Sequence, residues 1–504
     1  MKKIAFFLSI VAAAVACEQV EPITPPEFDF ANPDVVIPYQ GSEDETLKVE
    51  FTTNVDWTAE LDNTYDWITI TPASGVAGEA SVTVIATAND AVEERTAVIK
   101  VTAGVSVLNF DVVQEGKPSL TIDPKEVTFA SAGGSQDVAV KANVEYVVSV
   151  PENDWLTYAY NAETSVYTLT AAANEAYSAR SLTITLSNNV DAVSESVVVS
   201  QEGRAKVLWE AALADYTAIT FGNPIHLAYM DGKLAVSTGA AIHLLNAEDG
   251  TYASAVEGLL PEGFVIGGMS NDDAGNIVVA GNIPAYASAD VYAVTALDAQ
   301  PVKVATMQND VYSFNAGNVR AGGDVTKNGV LSMFVDVSQY WIGCDIVDGV
   351  ASETTFGAIT PLEGAGTAWD CANGCVTPLG SKLADGLLAT YYTQPALVSN
   401  AGGEWAAVGG LIYTGNDNNC AIAEAEFGDT HYAAVAVGSH FNYSATGAYL
   451  YDLKTNEVVY SYRVEGDLVG SGVTADVVLV PTDDALYMYF ADLNKGKIAC
   501  IEIK

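Results

Sequence analysis

The first half of the chain repeats itself, and a duplicated unit of nearly ninety residues restricts it to two tandem copies of one small domain. Asp66-Trp67-Ile68-Thr69 recurs as Asp154-Trp155-Leu156-Thr157, Asn89 and Arg95 recur as Asn174 and Arg180, and each copy closes on Gln-Glu-Gly, beginning at Gln114 and Gln201. The tryptophans lie 88 residues apart, the asparagines 85 and the closing glutamines 87. That period is too long for a solenoid repeat and suits two all-β domains. Between the markers the sequence alternates with period two, as in Ser81-Val82-Thr83-Val84-Ile85-Ala86-Thr87, which describes strands with one buried and one wet face. Each copy is therefore expected to be a β-sandwich, with Trp67 and Trp155 as core aromatics plugging one end.

The paired signature of Asp-Trp-hydrophobic-Thr, Asn and Arg ahead of a Thr/Ile/Val strand, and a last strand ending in Gln-Glu-Gly resembles the BACON family, Bacteroidetes-associated domains often found at the N-termini of carbohydrate-active proteins. The resemblance covers residues 33–117 and 118–203. It implies an immunoglobulin-like sandwich and a carbohydrate-related setting, with many such domains acting as spacers. The first copy carries the turn Thr71-Pro72-Ala73-Ser74-Gly75 that such domains have after the tryptophan; the second has Tyr158-Ala159-Tyr160-Asn161 instead.

Lys2 and Lys3 precede an apolar run from Ile4 to Val15 that stops at Ala16-Cys17. The run is too short to span a bilayer and has the layout of a secretory signal. Ala14-Val15-Ala16-Cys17 resembles a bacterial lipoprotein signal, so residues 1–17 are expected to be a signal peptide ending on a lipidated Cys17, followed by an acidic, Pro-containing linker over 18–32. The expected location is the bacterial outer membrane, facing outward. With 21 Lys+Arg against 64 Asp+Glu, the net charge of −43 excludes nucleic acid and anionic membrane surfaces as partners.

From Arg204 to Lys504 the texture changes to short apolar runs broken by Asp-Gly, Asn-Gly and Asp-Asp turns. Candidate units beginning near Pro224, Val265, Gly317, Gly374, Asn419 and Gly472 are spaced by 41 to 57 residues, the length of four strands and their turns. The last unit is one strand short, and the segment from Val207 to Ala212 is expected to complete it by pairing with the C-terminal strand. The predicted fold class is all-β: two tandem immunoglobulin-like β-sandwiches followed by a β-propeller of about six blades, with a seven-bladed ring or a split sandwich as alternatives.

In such a layout the turns within outer and inner hairpins are short and free of aromatics, whereas the loops on the other face are long and aromatic. Tyr286, Tyr340, Trp341, Trp369, Tyr392, Tyr413, Phe441 and Tyr443 in those loops are the candidate ligand-binding residues. Flat rings beside Asn, Asp and Gln suit sugar rings, which stack through C–H bonds and are hydrogen-bonded at their edges. The expected function is non-catalytic binding of an extracellular polysaccharide or glycoprotein glycan, with other surface lipoproteins as further partners. A protein-interaction or adhesion module would use the same rings, and a polysaccharide hydrolase needs only two carboxylates.

Sequence motifs assign no catalytic residue: the chain has no Gly-x-Ser-x-Gly elbow, His-Glu-x-x-His or phosphate loop, and His226 and His243 sit in alternating strand patterns as satisfied strand residues. Asn373-Gly374 favours a tight turn that would bring Cys371 and Cys375 together as a disulfide, the alternative being two free buried thiols. No cofactor is expected; calcium at Asn416-Asp417-Asn418-Asn419 is weighed, but the full ligand spacing is missing.

Overall fold

The computed structural model describes residues 25–30, 35–42, 47–190, 192–239, 241–256, 258–336, 339–359, 374–390, 397–408, 418–438, 446–467, 469 and 474–504. The described chain is all-β, its only helical pieces being single 3-10 turns at Leu213–Asp215 and Leu383–Asp385.

Each repeat folds as a two-sheet sandwich. In the first, Phe28–Phe30, Lys48–Thr53, Gly78–Ala86 and Ile68–Thr71 face Val35–Ile37, Ser106–Gln114, Arg95–Ala103, Trp57–Leu61 and Ser74–Gly75. In the second, Leu120–Asp123, Gly134–Ala142, Val166–Ala171 and Leu156–Asn161 face Glu126–Phe129, Val193–Gln201, Arg180–Asn188 and Val147–Ser149. The period-two pattern does what it should: Val82, Val84, Ile99 and Val101 meet inside the first sandwich, and Val138, Val140, Ile184 and Val197 inside the second.

The repeated marker residues build one lock at the end of each sandwich. Trp67 is buried with the Arg95 guanidinium 4.5 Å above its ring, and Trp155 has Arg180 at 4.8 Å. Arg95 donates from Nε to Gln114 Oε1 at 2.9 Å and from Nη2 to the carbonyls of Thr87 and Ala88; Arg180 does the same with Gln201 at 2.9 Å, Ala172 and Ala173. The two glutamines, fully buried, spend their amide hydrogens on the loop carbonyls of Thr87 and Ala172. Asn89 and Asn174 tie the same loops to the carbonyls of Glu115 and Glu202 at 3.0 Å. The closing glycine is required by close approach, because a Cβ at Gly116 would sit 1.9 Å from Val92 O and one at Gly203 2.1 Å from Tyr177 O.

The repeats diverge at one seam. In the first, the chain leaves the strand Ile68–Thr71 and crosses to the other sheet, where Ser74–Gly75 pairs with Trp57–Thr58. In the second, Leu156–Asn161 runs on as one edge strand along Val166–Ala171, and the seam is bordered by Tyr158, Tyr160 and Tyr167, with the last two ring centroids 4.6 Å apart.

Among the described residues six antiparallel sheets follow the second sandwich, five in simple meander order and the last closed by a strand from the start of this region. Their first strands are His226–Met230, Gly268–Asn271, Ala316–Gly323, Val376–Pro378, Asn418–Phe427 and Ala475–Pro481. The third sheet carries an extra strand, Thr355–Ala358. The sixth is completed by Ala205–Ala212, which pairs antiparallel with the C-terminal strand Lys497–Ile503. Consecutive sheets pack face to face through apolar layers, and the sixth packs on the first through Val478, Tyr489 and Cys500 against Leu227, Leu234 and Val236. The second sandwich is docked on this assembly: the Tyr177 and Tyr432 hydroxyls are 2.8 Å apart, Arg204 lies over the Tyr177 ring, and Lys504 N donates to Arg204 O.

Trp155→Ala should remove the ring beneath Arg180 and cost the second sandwich about 3–5 kcal/mol. Calorimetry on the full chain is expected to show one transition moving to lower temperature; unchanged melting would refute the lock as the source of that stability.

Candidate functional site

The first strands of the six sheets bring their starting residues together at one end. There they line a cavity of about 170 Å³ with Asn223, His226, Asn282, Asn315, Asn318, Asp336, Thr474 and Asp476, and with Gly267, Gly317 and Gly374 between them. Among the described lining residues there is no Lys or Arg. Asp476 on this lining is ion-paired behind it: Arg320 Nη2 donates to Asp476 Oδ1 at 2.7 Å with both side chains buried. Arg320, on the third sheet, also donates from Nε to Cys375 Sγ of the fourth sheet at 3.2 Å, and its Nη1 lies 3.5 Å from Met269 O of the second. Asp476 Oδ2 accepts from Leu227 N of the first sheet at 2.8 Å. One guanidinium and one carboxylate thus link five of the six sheets. A bulge aims the arginine there: the register shifts between Gly317 and Arg320, with Asn318 at φ +55°.

Burial alone would raise the Asp476 carboxyl, but the Arg320 charge and the hydrogen bonds around it hold it below the ordinary carboxylate range. His226 is 5 % exposed, with Nδ1 3.8 Å from Asp476 Oδ2 and Nε2 without any protein partner. Asn318 donates from Nδ2 to Gly374 O at 3.2 Å, while its Oδ1 has no partner. The cavity therefore presents unmet hydrogen-bonding capacity.

The loops that end at this cavity carry exposed aromatics at their other ends. The loop from Gly281 to Ala287 holds Asn282 and Tyr286; the one from Asn309 to Asn315 holds Tyr312, Phe314 and Asn315. Tyr312 and Tyr340 stack with centroids 4.4 Å apart and planes 13° from parallel. Tyr286, two-thirds exposed, lies with its hydroxyl 2.9 Å from Ser313 Oγ, and Asn309 Nδ2 donates to Phe314 O at 2.7 Å. A second depression of about 740 Å³ lies between the sixth and first sheets, over Leu213, Ile219 and Phe221.

Of the residues expected from sequence to bind, Tyr286 is exposed on the first of these loops and Tyr340 at the start of the strand Tyr340–Val347. Trp341 is not: its ring is buried in the layer between the third and fourth sheets with Phe334, Val376 and Leu387, so close to Gly357 that a Cβ there would fall 2.3 Å away. Its strand Tyr340–Val347 starts one residue earlier, and Trp341 takes the inward side. Trp369, Tyr392, Tyr413, Phe441 and Tyr443 lie outside the described residues, as do Cys17, Cys371 and the Asn416-Asp417 half of the weighed calcium turn. Cys375 is a free buried thiol whose Sγ accepts from Arg320 Nε; Cys371, its expected partner, lies outside the described residues. His226 is a strand residue as expected but is not satisfied. Arg320 and Asp476 were missed, although each is a lone charge in an apolar strand, Val319-Arg320-Ala321 and Ala475-Asp476-Val477-Val478.

With the geometry described, comparison with known proteins adds the following. Residues 23–117 and 119–204 each match the family model described as the viral BACON domain. The two sandwiches are tandem BACON domains. No curated protein matches the chain. Solved structures similar to it include a Bacteroides ovatus GH5 xyloglucanase in complex with a XXXG heptasaccharide, at 20 % identity over 21 % of this chain and 22 % of that one, TM-score 0.16. An endo-fucoidan hydrolase of glycoside hydrolase family 107 is similar at 15 % identity over 36 % of this chain and 34 % of that one, TM-score 0.21. A three-domain titin fragment is similar at 12 % identity over 66 % of this chain and 98 % of that one, TM-score 0.29. At such scores these likenesses carry no functional argument, and the functional case rests on the residues beyond the BACON pair.

Among the described residues three carboxyls of these sheets, Asp272, Asp273 and Asp492, are raised, each chiefly by burial. Burial raises Asp492 to about 6, with Lys495 N donating to its Oδ2 at 2.6 Å and no partner for Oδ1. Burial also raises Asp273 to about 6, helped by the nearby Glu424 charge. A carboxyl raised in the folded state adds stability that is complete below its unfolded pKa and lost as pH rises through the folded value; a lowered one, Asp476, adds stability that is lost as pH falls through its folded value. The melting temperature should therefore peak near about pH 4 and decline toward neutrality. Asp492→Asn is expected to raise stability at pH 7 by about 1–3 kcal/mol and flatten that decline; a variant that melts lower at pH 7 would contradict it.

Proposed function

We propose that the C-terminal assembly is a six-bladed β-propeller whose long-looped end recognises extracellular glycan without catalysis, and that the BACON pair acts as a spacer between it and a lipid anchor at Cys17. The observation that carries this reading is the nearly parallel Tyr312/Tyr340 pair, Tyr340 exposed and Tyr312 half-buried, together with exposed Tyr286 and Phe314 on loops that also deliver asparagines to the polar cavity. Aromatic faces supply stacking area at small entropic cost, and amides beside them match hydroxyls, which both donate and accept. The packing of consecutive sheets, of the sixth on the first, and of Ala205–Ala212 on the C-terminal strand supports the propeller. The BACON domains support a carbohydrate-related setting and, with their marker residues engaged in the end lock, a spacer role.

The outward-facing lipoprotein reading rests on the signal-like start and the acidic linker after Cys17. Cys17→Ser should move the protein from the membrane to the soluble fraction of fractionated cells; a variant that still sediments with membranes would remove the anchor from the proposal.

A glycan array probed with residues 18–504 tests recognition. Retention of no glycan at high protein concentration would move the reading to a protein partner, and release of reducing ends from any polysaccharide would replace it with a hydrolase. Tyr340→Ala is expected to weaken binding of a retained glycan by about 1–3 kcal/mol, a loss of roughly five- to more than a hundredfold, at nearly unchanged melting temperature.

A further inference from the structure

We infer that the cavity at the end of the first strands is a chain-end site, taking one terminal, uncharged sugar residue of the glycan while the Tyr312/Tyr340 shelf holds the residues behind it. This rests on the glycan reading above and sharpens it in two respects: which part of the glycan enters, and which charge it carries.

The restriction to an end follows from what closes the cavity. Asp476 lies on its lining, and Arg320, bonded to Asp476 and Cys375 with its Nη1 facing Met269 O, fills the space between the sheets immediately beyond. A polymer cannot thread past a buried ion pair held by five sheets. The volume of about 170 Å³ is below the roughly 300–1,000 Å³ of pockets that take drug-sized ligands, which suits one small ring rather than several. Loops Gly281–Ala287 and Asn309–Asn315 run from the cavity-lining Asn282 and Asn315 to Tyr286 and Tyr312, the latter stacked on Tyr340, and this is the side on which the residues behind a buried end would lie.

The restriction to an uncharged residue follows from the lining. Four asparagines, Thr474 and His226 provide donors and acceptors in the mixture that hydroxyls need, with His226 Nε2 and Asn318 Oδ1 awaiting partners. Among the described residues the cation next to it is Arg320, which is already bound to Asp476 and is not part of the lining. Asp336 adds a negative group, in a chain of net charge −43. A uronate, sulfate or sialate terminus would meet no counter-charge there and would lose its hydration.

The test uses residues 18–504 and a set of neutral oligosaccharides that share a terminal residue, the same oligosaccharides sulfated on that residue, and the methyl glycoside of the terminal residue alone. Titration calorimetry should show binding that follows the terminus whatever the interior, displacement by the methyl glycoside, and at least a tenfold loss on sulfation. Asn318→Gly, chosen because the positive φ at this position tolerates glycine, should weaken binding at least tenfold with melting unchanged. Equal binding of sulfated and unsulfated ends, or no displacement by the methyl glycoside, would overturn the chain-end inference while leaving glycan recognition standing. Absence of binding to every glycan would overturn both.

Discussion

A single buried ion pair organises the C-terminal assembly. Arg320 and Asp476 come from sheets that are not neighbours in the chain, and each is also bonded to a further sheet, so their geometry cannot be satisfied unless the first strands converge. Burying two charges is expensive, and a pair of this kind contributes little net stability compared with well-packed apolar side chains. What it contributes is specification: removing either partner would strand the other charge in the interior, so arrangements that separate the strands are penalised heavily. The same pair sets a fully bonded carboxylate on the lining of the cavity between the first strands. The bulge at Asn318 is the local device for this, since without the extra residue the alternation would present a different side chain to the axis.

The BACON repeats solve their own version of the problem with a lock that is reproduced residue for residue. Trp, Arg, Gln and Asn each have one partner set in both copies: the Trp ring lies under the Arg, the Arg bonds the Gln side chain and loop carbonyls, and the Gln and Asn amides bond loop carbonyls of the same domain. Residues so fully occupied have no capacity left for a ligand. The markers that make the repeat visible are thus structural, and functional difference between the copies has to be sought where they diverge. That place is the seam closed in the first copy by Ser74–Gly75 and bordered in the second by tyrosines.

Much of this was legible in the sequence because it depends on local patterns. Period-two alternation and Asp-Gly or Asn-Gly turns located the strands, and the expected starts near Pro224, Val265, Gly317, Gly374, Asn419 and Gly472 fall within three residues of the first strands beginning at His226, Gly268, Ala316, Val376, Asn418 and Ala475. The site was less legible. Trp341 stands beside a loop in sequence, yet strand pairing begins at Tyr340 and sets the next ring inward against a glycine. The cavity residues come from separate sheets, and an asparagine at the start of a strand carries no mark of converging on an axis. Arg320 and Asp476 did carry a mark, a charge inside an apolar strand, whose meaning appears only when both strands are seen to meet.

The backbone at the candidate site gives the last physical indication of what it is for. Ala287 N donates to Pro284 O, closing a tight turn in which Tyr286 takes φ +59°, a conformation suited to glycine or asparagine. A side chain there costs about 1–2 kcal/mol relative to the relaxed backbone, and a bulky ring is an unusual occupant. The ring does not offset that cost by packing, because two-thirds of it faces solvent. Most other positive-φ residues with side chains, such as Asp231, Asp348 and Asn456, sit in short connections where polar residues serve the turn itself. Tyr286 serves its turn poorly and its surface well. Strain held where an exposed aromatic is presented beside an unsatisfied polar cavity is what a binding surface requires and what a purely structural loop would avoid.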